Sequence, residues 1–275
     1  RRGVARRAAR VRCNRYRELM EMLEDDSGLG PSAERPTLVL LPGMDGTGAL
    51  FGPLLDVIGD AVPTLVVSYP VDRVMSYEEL TLLVLDQLPA TRKYLVVAES
   101  FSGPIAIRLA ASPPPGLIGV VLSATFASNP TGFPPRIVRA FASLLVRLRP
   151  PRLFVRWRLL RRGASKSLTD FVLRTIQRVD HRVFASRLIE VATVDVRSDR
   201  AQTQVPILWM HATRDKLLRG WRWSAEGGAP GMERAVFLEG PHLLLQSCSA
   251  EAWDEIEAFA TSCAATPDRT SGNHV

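Results

Sequence analysis

From Pro36 onward, short apolar runs alternate with segments of helical periodicity, and this alternation is the feature that most constrains the fold. Six runs rich in Val, Leu and Ile predict strands at Thr37–Leu41, Thr64–Ser68, Tyr94–Ala98, Leu117–Leu122, Ile207–Met210 and Ala235–Leu238. Near-continuous apolar runs are typical of strands that are buried on both faces of a parallel sheet. Strands alternating with helices therefore predict a doubly wound α/β fold with a mostly parallel central sheet.

Three segments between or after these runs carry helix signals. Ser76–Glu79 has the capping-box pattern and predicts a helix through Leu88. Ser102–Ala111 predicts a helix that ends before Pro113, because proline cannot continue a helix. Ala250–Ala260 predicts a C-terminal helix.

One stretch interrupts the alternation, since no strand pattern falls between Ser128 and Val205. Four helices are predicted there instead, at Pro135–Leu148, Pro151–Arg162, Leu168–Val179 and Arg182–Val194. The order of elements therefore predicts an α/β core over residues 36–127 and 199–263, interrupted by a helical cap over residues 128–198.

The two ends of the chain differ from the rest. Eight arginines fall within the first seventeen residues of a chain whose net charge is +7. We expect residues 1–35 to form a basic, disordered extension, with a transit-like or nucleic-acid-binding arm as alternatives. Residues 264–275 are polar and are expected to form a flexible tail. Three widely spaced cysteines indicate no disulfide framework, so a cytoplasmic location is expected.

A serine lies between a predicted strand and a predicted helix in the segment Tyr94–Gly103. In one group of acyl-transfer enzymes, such a turn raises the serine Oγ above the sheet edge as a nucleophile. The turn needs small residues two positions before and after the serine, because the strand and helix backbones approach closely. Ala98 and Ser102 meet this need in place of two glycines. Ser100 is thus the candidate nucleophile, and the alternative is a serine that only caps a helix.

A glycine-rich loop, Gly43–Gly48, follows an earlier predicted strand. Acyl transfer needs two backbone N–H donors for the negative oxygen of the intermediate, one after the nucleophile and one from such a loop. Phe101 and Met44 are the predicted donors of this oxyanion hole. The glycine spacing matches neither common phosphate-binding pattern, and no lysine follows, which disfavours a phosphate loop.

A base and an acid are predicted after the last two strands. Among four histidines, His242 follows the last strand, where its imidazole can reach a serine at the carboxyl edge of the sheet. Asp215 follows the preceding strand, where a carboxylate can accept the Nδ1–H of that histidine. Asp195 and Asp199 are the fallback acids.

Three motifs carry a resemblance to a known family: Leu41–Gly48, Ala98–Gly103 and Gly240–Gln246. On these motifs, the chain from about Pro36 to Ala260 resembles the α/β-hydrolase superfamily, in particular bacterial carboxylesterase-like members with a helical cap. The resemblance implies an α/β-hydrolase fold and a Ser-His-Asp catalytic triad, in the family's chain order of Ser, Asp, His. It does not name the substrate, because the superfamily includes esterases, lipases, thioesterases, acyltransferases, C–C hydrolases and inactive members.

The predicted cap is cationic and carries aromatic side chains. Ten arginines and lysines, and no acidic residue, lie between Arg136 and Lys166. The interpretations are a solvated amphipathic cap, docking of an acidic acyl-carrier protein, or docking of an anionic lipid surface. Nucleic acid is not expected, because nothing resembles a base-reading module. Four aromatic residues are candidates to line an apolar substrate pocket above the nucleophile: Phe133, Phe141, Phe154 and Trp157.

Together these features predict a serine carboxylesterase that hydrolyses small-molecule carboxylic esters, with short to medium acyl chains, through an acyl-enzyme. The alternatives are a thioesterase or acyltransferase acting on acyl-carrier or lipid substrates, and a hydrolase scaffold kept for binding. No cofactor and no metal are expected. A metal site built from His211, Asp215 and His242 is disfavoured, because no pattern of supporting ligands surrounds it.

Overall fold

A computed structural model describes residues 35–147, 151–160, 164–218 and 228–265. At its centre lies a six-stranded sheet with the strand order β2-β1-β3-β4-β5-β6, in which all neighbouring strands are parallel. The strands are β1 Thr37–Leu41, β2 Thr64–Val66, β3 Tyr94–Glu99, β4 Leu117–Ser123, β5 Ile207–Ala212 and β6 Glu233–Leu238. The predicted α/β fold with a parallel central sheet is therefore confirmed, and each predicted strand is present within two residues of its expected ends.

Helices connect these strands and continue beyond the last one. They are α1 Gly52–Ile58, α2 Tyr77–Leu85, α3 Gly103–Ala111, α4 Pro135–Arg147, α5 Arg152–Phe154, α6 Lys166–Ile176, α7 His181–Thr193, α8 Arg197–Ala201, α9 Leu244–Ser247 and α10 Ser249–Ala265. The capping box of α2 is confirmed, because the Glu79 N–H donates to the Ser76 Oγ and the Ser76 N–H donates to the Glu79 carboxylate. This helix ends three residues before the predicted Leu88, since the residue before Pro89 disfavours helical geometry.

Two apolar layers enclose the sheet, one on each face. Alternate residues of β1 point in opposite directions, so Val39 joins the layer formed with α2 and α3, while Leu40 joins the layer formed with α1 and α10. All residues of β1 and β3 are buried. This explains why the central strands have near-continuous apolar sequences, and it makes their carboxyl ends a firm base for the loops that follow.

The predicted cap segment contains helices α4 to α7 between β4 and β5. The second of them departs from the prediction, because the expected helix over Pro151–Arg162 is a short turn, α5, followed by a wide π turn over Val155–Leu159 that closes at Leu160. Both ends of the segment meet in an antiparallel bridge between Ser128 and Asp195. The division into a core domain and a cap domain stays a prediction.

Most of the predicted extension over residues 1–35 and most of the predicted tail over residues 264–275 lie outside the described residues. Within the part of the chain that the structure describes, no helix is both long enough and apolar enough to cross a membrane.

Candidate active site

The turn after β3 holds Ser100 in a strained backbone conformation. The residue has a φ of +49°, a left-handed value that L-residues other than glycine, asparagine and aspartate rarely adopt. The chain makes one tight turn over Ser100–Ser102 and then enters α3. The glycine that this turn requires is Gly103, since a Cβ there would overlap the Thr125 hydroxyl, which donates to the Ser100 carbonyl. The strictest steric demand therefore falls three residues after the serine rather than two.

Ser102 stands where many such turns have glycine, and its hydroxyl has a structural role. The side chain is fully buried, and it bonds to the Pro42 carbonyl and to the Tyr69 hydroxyl, with an O–O distance of 2.6 Å for the latter. Burying a hydroxyl without such partners would cost free energy, so both bonds stabilise the serine in place. They also join the nucleophile turn to the glycine-rich loop.

Three polar side chains meet at the carboxyl edge of the sheet. The Ser100 Oγ lies 2.9 Å from the His242 Nε2, and the His242 Nδ1 lies 2.7 Å from the Asp215 Oδ2. Because an ionised carboxylate can only accept, Nδ1 carries the proton and Nε2 is left to accept from the serine hydroxyl. His242 is only 3% exposed, so bulk water does not compete for these bonds.

Asp215 is held in its ionised form by its surroundings. Burial acts to raise the pKa of its carboxyl, but the charge of His242 and the hydrogen bonds that the carboxylate accepts outweigh burial and lower the pKa. Two of these bonds come from the N–H groups of Leu217 and Leu218, at 2.7 and 3.0 Å from Oδ1. The fallback acid Asp195 instead pairs with Arg197 at the surface, and Asp199 lies within α8.

Backbone bonds beyond the sheet fix the two loops that carry the acid and the histidine. The Thr213 N–H donates to the Leu238 carbonyl at 2.9 Å, and the Arg214 N–H donates to the Gly240 carbonyl at 3.0 Å. These bonds continue the pairing of β5 with β6 past the ends of the strands. The separation of Asp215 and His242 is therefore set by the sheet itself.

Both predicted oxyanion donors belong to segments that adjoin Ser100. A Cβ placed on Gly43 would lie 3.9 Å from the Ser100 Cβ, so the glycine-rich loop passes directly beside the nucleophile and brings Met44 next to it. Phe101 follows the serine and is fully buried. Its carbonyl accepts from the Tyr77 hydroxyl at 2.8 Å, and the two rings stack at 4.7 Å. Such packing holds the peptide planes of this segment in one orientation.

A family comparison agrees with this geometry, since the model of the alpha/beta hydrolase family matches residues 33–257. The chain belongs to the alpha/beta hydrolase family. The resemblance drawn from the three motifs is therefore confirmed, and family membership supports a hydrolase activity.

Solved structures share the fold of this hydrolase at low sequence identity. An esterase from Thermogutta terrifontis is 15% identical with a TM-score of 0.69, over 84% of this chain and 91% of that one. An enol-lactonase from Burkholderia xenovorans is 18% identical with a TM-score of 0.60, over 83% and 92%. A bromoperoxidase from Bacillus anthracis is 13% identical with a TM-score of 0.64, over 82% and 92%. No curated protein sequence matches the chain.

Arg187 is a residue of the hydrolase site that the sequence did not reveal. It extends from α7 and is 2% exposed. Its Nη1 donates to the Met44 carbonyl at 2.8 Å, and its Nη2 donates to the Pro70 carbonyl at 2.9 Å. The guanidinium also lies over the rings of Tyr69 and Phe101, at 5.9 and 5.8 Å from their centroids. A side chain of the cap segment thus holds the loop that carries one predicted oxyanion donor.

Glu99, the residue before the nucleophile, is a buried carboxyl that the sequence analysis did not single out. Burial raises its pKa to about 7, and the nearby charge of Asp45 acts in the same direction. The Gln246 side chain donates to the Glu99 Oε2 at 3.1 Å. This part of the sheet edge is therefore dry enough to keep a carboxylic acid protonated well above its ordinary range.

The wide turn of the cap segment contacts the loop that carries His242 and the loop that carries Asp215. The Leu243 N–H, next to the histidine, donates to the Leu159 carbonyl at 3.0 Å. Arg158 donates to the Lys216 carbonyl at 2.7 Å, next to the acid. The Lys216 ammonium lies 4.9 Å from the centre of the Trp157 ring. This turn therefore packs directly on the loops that hold His242 and Asp215.

The four predicted pocket residues all lie on exposed parts of the cap segment. Phe133, Phe141, Phe154 and Trp157 keep between 40% and 61% of their surfaces exposed. Their assignment to a substrate pocket stays a prediction.

His211 is packed between aromatic rings. Its imidazole stacks on Trp209 and Phe237 at centroid distances of 6.0 and 5.2 Å. Within the described ranges, no group of three or more His, Cys, Asp and Glu residues could hold a metal ion. The expectation that the reaction needs neither metal nor cofactor stays a prediction.

Proposed function

We propose that this hydrolase is a serine carboxylesterase in which Ser100 is the nucleophile, His242 the general base and Asp215 the acid that orients the histidine. The observation that carries the proposal is the continuous chain of hydrogen bonds from Ser100 through His242 to Asp215, at 2.9 and 2.7 Å, starting from a strained nucleophile turn. A serine hydroxyl is a weak nucleophile until a neighbouring base takes its proton, and this arrangement supplies that base.

In the proposed reaction, the Ser100 Oγ attacks the ester carbonyl carbon while its proton moves to the His242 Nε2. The carbonyl oxygen becomes negative and is held by the N–H groups of Phe101 and Met44, each of which contributes about 10²- to 10³-fold in rate. The tetrahedral intermediate then collapses, and the leaving alcohol takes the proton from His242. Water, activated by the same histidine, attacks the acyl-serine and releases the carboxylic acid.

Covalent labelling and ester hydrolysis test this proposal together. The wild type should react with a fluorophosphonate probe at Ser100 and should hydrolyse short- to medium-chain aryl esters. Ser100→Ala should lose labelling, and its turnover should fall by about 10⁶-fold. Ser112→Ala, at an exposed serine beyond the end of α3, is the matched control and should behave as the wild type. Unchanged turnover in Ser100→Ala would exclude the mechanism, and a folded protein that never labels would favour a binding scaffold.

A thioesterase or acyltransferase is the second candidate, because the same triad serves a different leaving group or acceptor. The run of ten cations between Arg136 and Lys166 supports it, since acyl-carrier proteins are acidic. Rates on carrier-bound thioesters and on matched oxygen esters, each at low and high salt, separate the two. If carrier docking matters, only the rate on the carrier-bound substrate should fall as salt rises.

A further inference from the structure

Exposed apolar side chains are concentrated in one stretch of the cap segment. Among the described residues, twelve large apolar side chains are exposed, and six of them fall between positions 133 and 157. The six are Phe133, Ile137, Phe141, Leu153, Phe154 and Trp157. Single exposed apolar residues are ordinary on soluble proteins, but a concentration of this kind marks an interaction surface.

The wide turn over Val155–Leu159 and the loop that carries Asp215 together form one continuous part of this surface, which we call the turn surface. It consists of residues 152–154 and 156–158 with Lys216 and Leu217. Leu153 is 76% exposed, and Leu217 is exposed too. Contact between the two segments is direct, because the Trp157 ring lies against the Lys216 ammonium and Arg158 bonds to the Lys216 carbonyl. Apolar and cationic side chains therefore alternate over a single patch.

Helix α4 presents a second part of the same character. It packs against α7, and Ala142 is buried. Ile137 and Phe141, one helical turn apart, are exposed together with Arg136 and Arg139. No acidic residue lies between Arg136 and Lys166 in the sequence. Cations therefore predominate in both parts, although Arg152 of the turn surface forms an ion pair with Asp170.

We propose that this surface docks the protein on an anionic lipid bilayer and that the ester substrates are drawn from that bilayer. Guanidinium and ammonium groups attract an anionic lipid surface, and apolar side chains such as Leu153 and Trp157 enter the boundary between headgroups and acyl chains. A bilayer offers one partner for both kinds of side chain, since its headgroups carry the negative charge and its acyl chains take up the apolar groups. The substrate half of this proposal rests on the proposed esterase function, and the docking half does not.

The turn surface lies close to the catalytic loops. Lys216 follows Asp215 in sequence, and the Leu159 carbonyl at the end of the turn accepts from the N–H of Leu243, the residue after His242. A bilayer held against the turn surface would therefore lie beside the loops of the acid and the base. A substrate leaving that bilayer would travel only a short distance to Ser100.

Vesicle binding by the full chain tests the docking half without hydrolysis, in a Ser100→Ala background. Co-sedimentation should be strong with vesicles of phosphatidylcholine plus phosphatidylglycerol, weak with phosphatidylcholine alone, and reduced by high salt. Leu153→Ser should weaken binding about tenfold, because it removes an inserted apolar side chain. Arg136→Gln with Arg139→Gln should weaken it roughly thirtyfold. Leu82→Ser, at a 66% exposed leucine of α2, is the matched control and should bind as the parent does.

Several outcomes would overturn the docking half. Equal binding to neutral and anionic vesicles, or capture by an acidic carrier protein without vesicle binding, would do so. So would unchanged binding of the folded Leu153→Ser and arginine variants, because the attraction would then come from elsewhere, such as the eight arginines within residues 1–17. Thermal unfolding of each variant checks that it is folded.

Hydrolysis by the protein with Ser100 intact tests the substrate half. Leu153→Ser should lower turnover of esters held in anionic vesicles about tenfold and leave turnover of a soluble aryl ester unchanged. Equal rates on vesicle-held esters in the wild type and the variant would overturn the substrate half. If Ser100→Ala binds vesicles while the wild type hydrolyses no ester, the docking proposal stands and the esterase proposal fails.

Discussion

Several polar side chains at the carboxyl edge of the sheet are buried, whereas many charged side chains of the cap segment, Arg187 apart, are exposed. At the sheet edge, His242 and Ser102 are buried, and each has hydrogen-bond partners that fix its orientation. On the cap segment, cations such as Arg136 and apolar side chains such as Leu153 are both exposed. On the proposed function, the strand ends would hold the reacting groups rigidly, while the cap segment would govern what approaches them.

The two regions are nevertheless joined by several hydrogen bonds, and two of them lie beside the candidate site. Arg187 of the cap segment binds the Met44 carbonyl on the oxyanion side, and Leu159 binds the Leu243 N–H on the histidine side. Substitutions in each region can therefore test whether the sheet edge governs catalysis and the cap segment governs access of the substrate.

Apart from Ser100→Ala, the largest effect is expected at the sheet edge, from Asp215→Asn. An amide can donate to the histidine and thereby favour the wrong tautomer, so kcat should fall by about 10⁴-fold while the fold is kept. Turnover of an aryl ester and thermal unfolding measure the two effects. Asp199→Asn, at the fallback acid on α8, is the control and should leave kcat unchanged. A strong loss in Asp199→Asn with little loss in Asp215→Asn would reassign the acid.

Glu99 is buried at the sheet edge, and its carboxyl should therefore make the free energy of unfolding depend on pH. Its pKa in the folded protein is about 7 against an ordinary value of 4.5, so between these values the folded state keeps a proton that the unfolded state has released. The free energy of unfolding should therefore decrease as pH rises from 4.5 to 7, by about 3 kcal/mol from this group. Denaturant unfolding across this range should show the decrease in the wild type.

Glu99→Gln should remove that decrease, because a glutamine does not ionise. Glu78→Gln, at an exposed carboxylate of α2, serves as the control and should keep the wild-type profile. An identical pH profile in Glu99→Gln and the wild type would show that the sheet edge is wetter than its burial indicates.

The connection through Arg187 predicts a smaller effect on rate. A methionine side chain has a similar length but no N–H groups, so Arg187→Met leaves the Met44 carbonyl without its partner. The loop that carries Met44, a predicted oxyanion donor, should then be held less firmly. We expect kcat to fall by about 10- to 100-fold with little change in KM, since one oxyanion donor is worth about 10²- to 10³-fold. Arg187→Lys should recover part of the rate. Arg182→Met, at an exposed arginine of the same helix, is the control. A loss of thermal stability without a loss of kcat would assign Arg187 a structural role only.

The residues that sequence analysis identified share one property, which is their place at strand ends. Ser100, Asp215 and His242 each follow shortly after the end of an apolar run, and parallel strands bring their carboxyl ends to one edge. The fold and the meeting of these three side chains were therefore predictable from the order of elements along the chain. Thr125 could have been found in the same way, since it follows β4 closely.

The residues that the sequence did not reveal depend on packing between distant segments. Arg187 resembles Arg182 in the sequence of α7, and helical periodicity does not tell which of the two enters the core. The wide turn over Val155–Leu159 was predicted as ordinary helix, because an apolar and basic sequence gives no sign of the bond from the Leu160 N–H to the Val155 carbonyl. Such features follow from the fit of the cap segment onto the loops below it.

The smallest effect is expected from the cap aromatics, and it separates two roles for them. If Phe154 and Trp157 line a pocket, Phe154→Ala and Trp157→Ala should shift the preferred acyl length of soluble esters, because each buried CH₂ of a substrate is worth about 0.8 kcal/mol, or about fourfold in rate. If the two rings belong to the docking surface, the chain-length profile of soluble esters should stay flat, and only rates on vesicle-held esters should fall. Labelling of Ser100 by a small probe should be nearly unchanged in both cases, so a large loss of labelling would show that the cap segment shapes the catalytic centre itself.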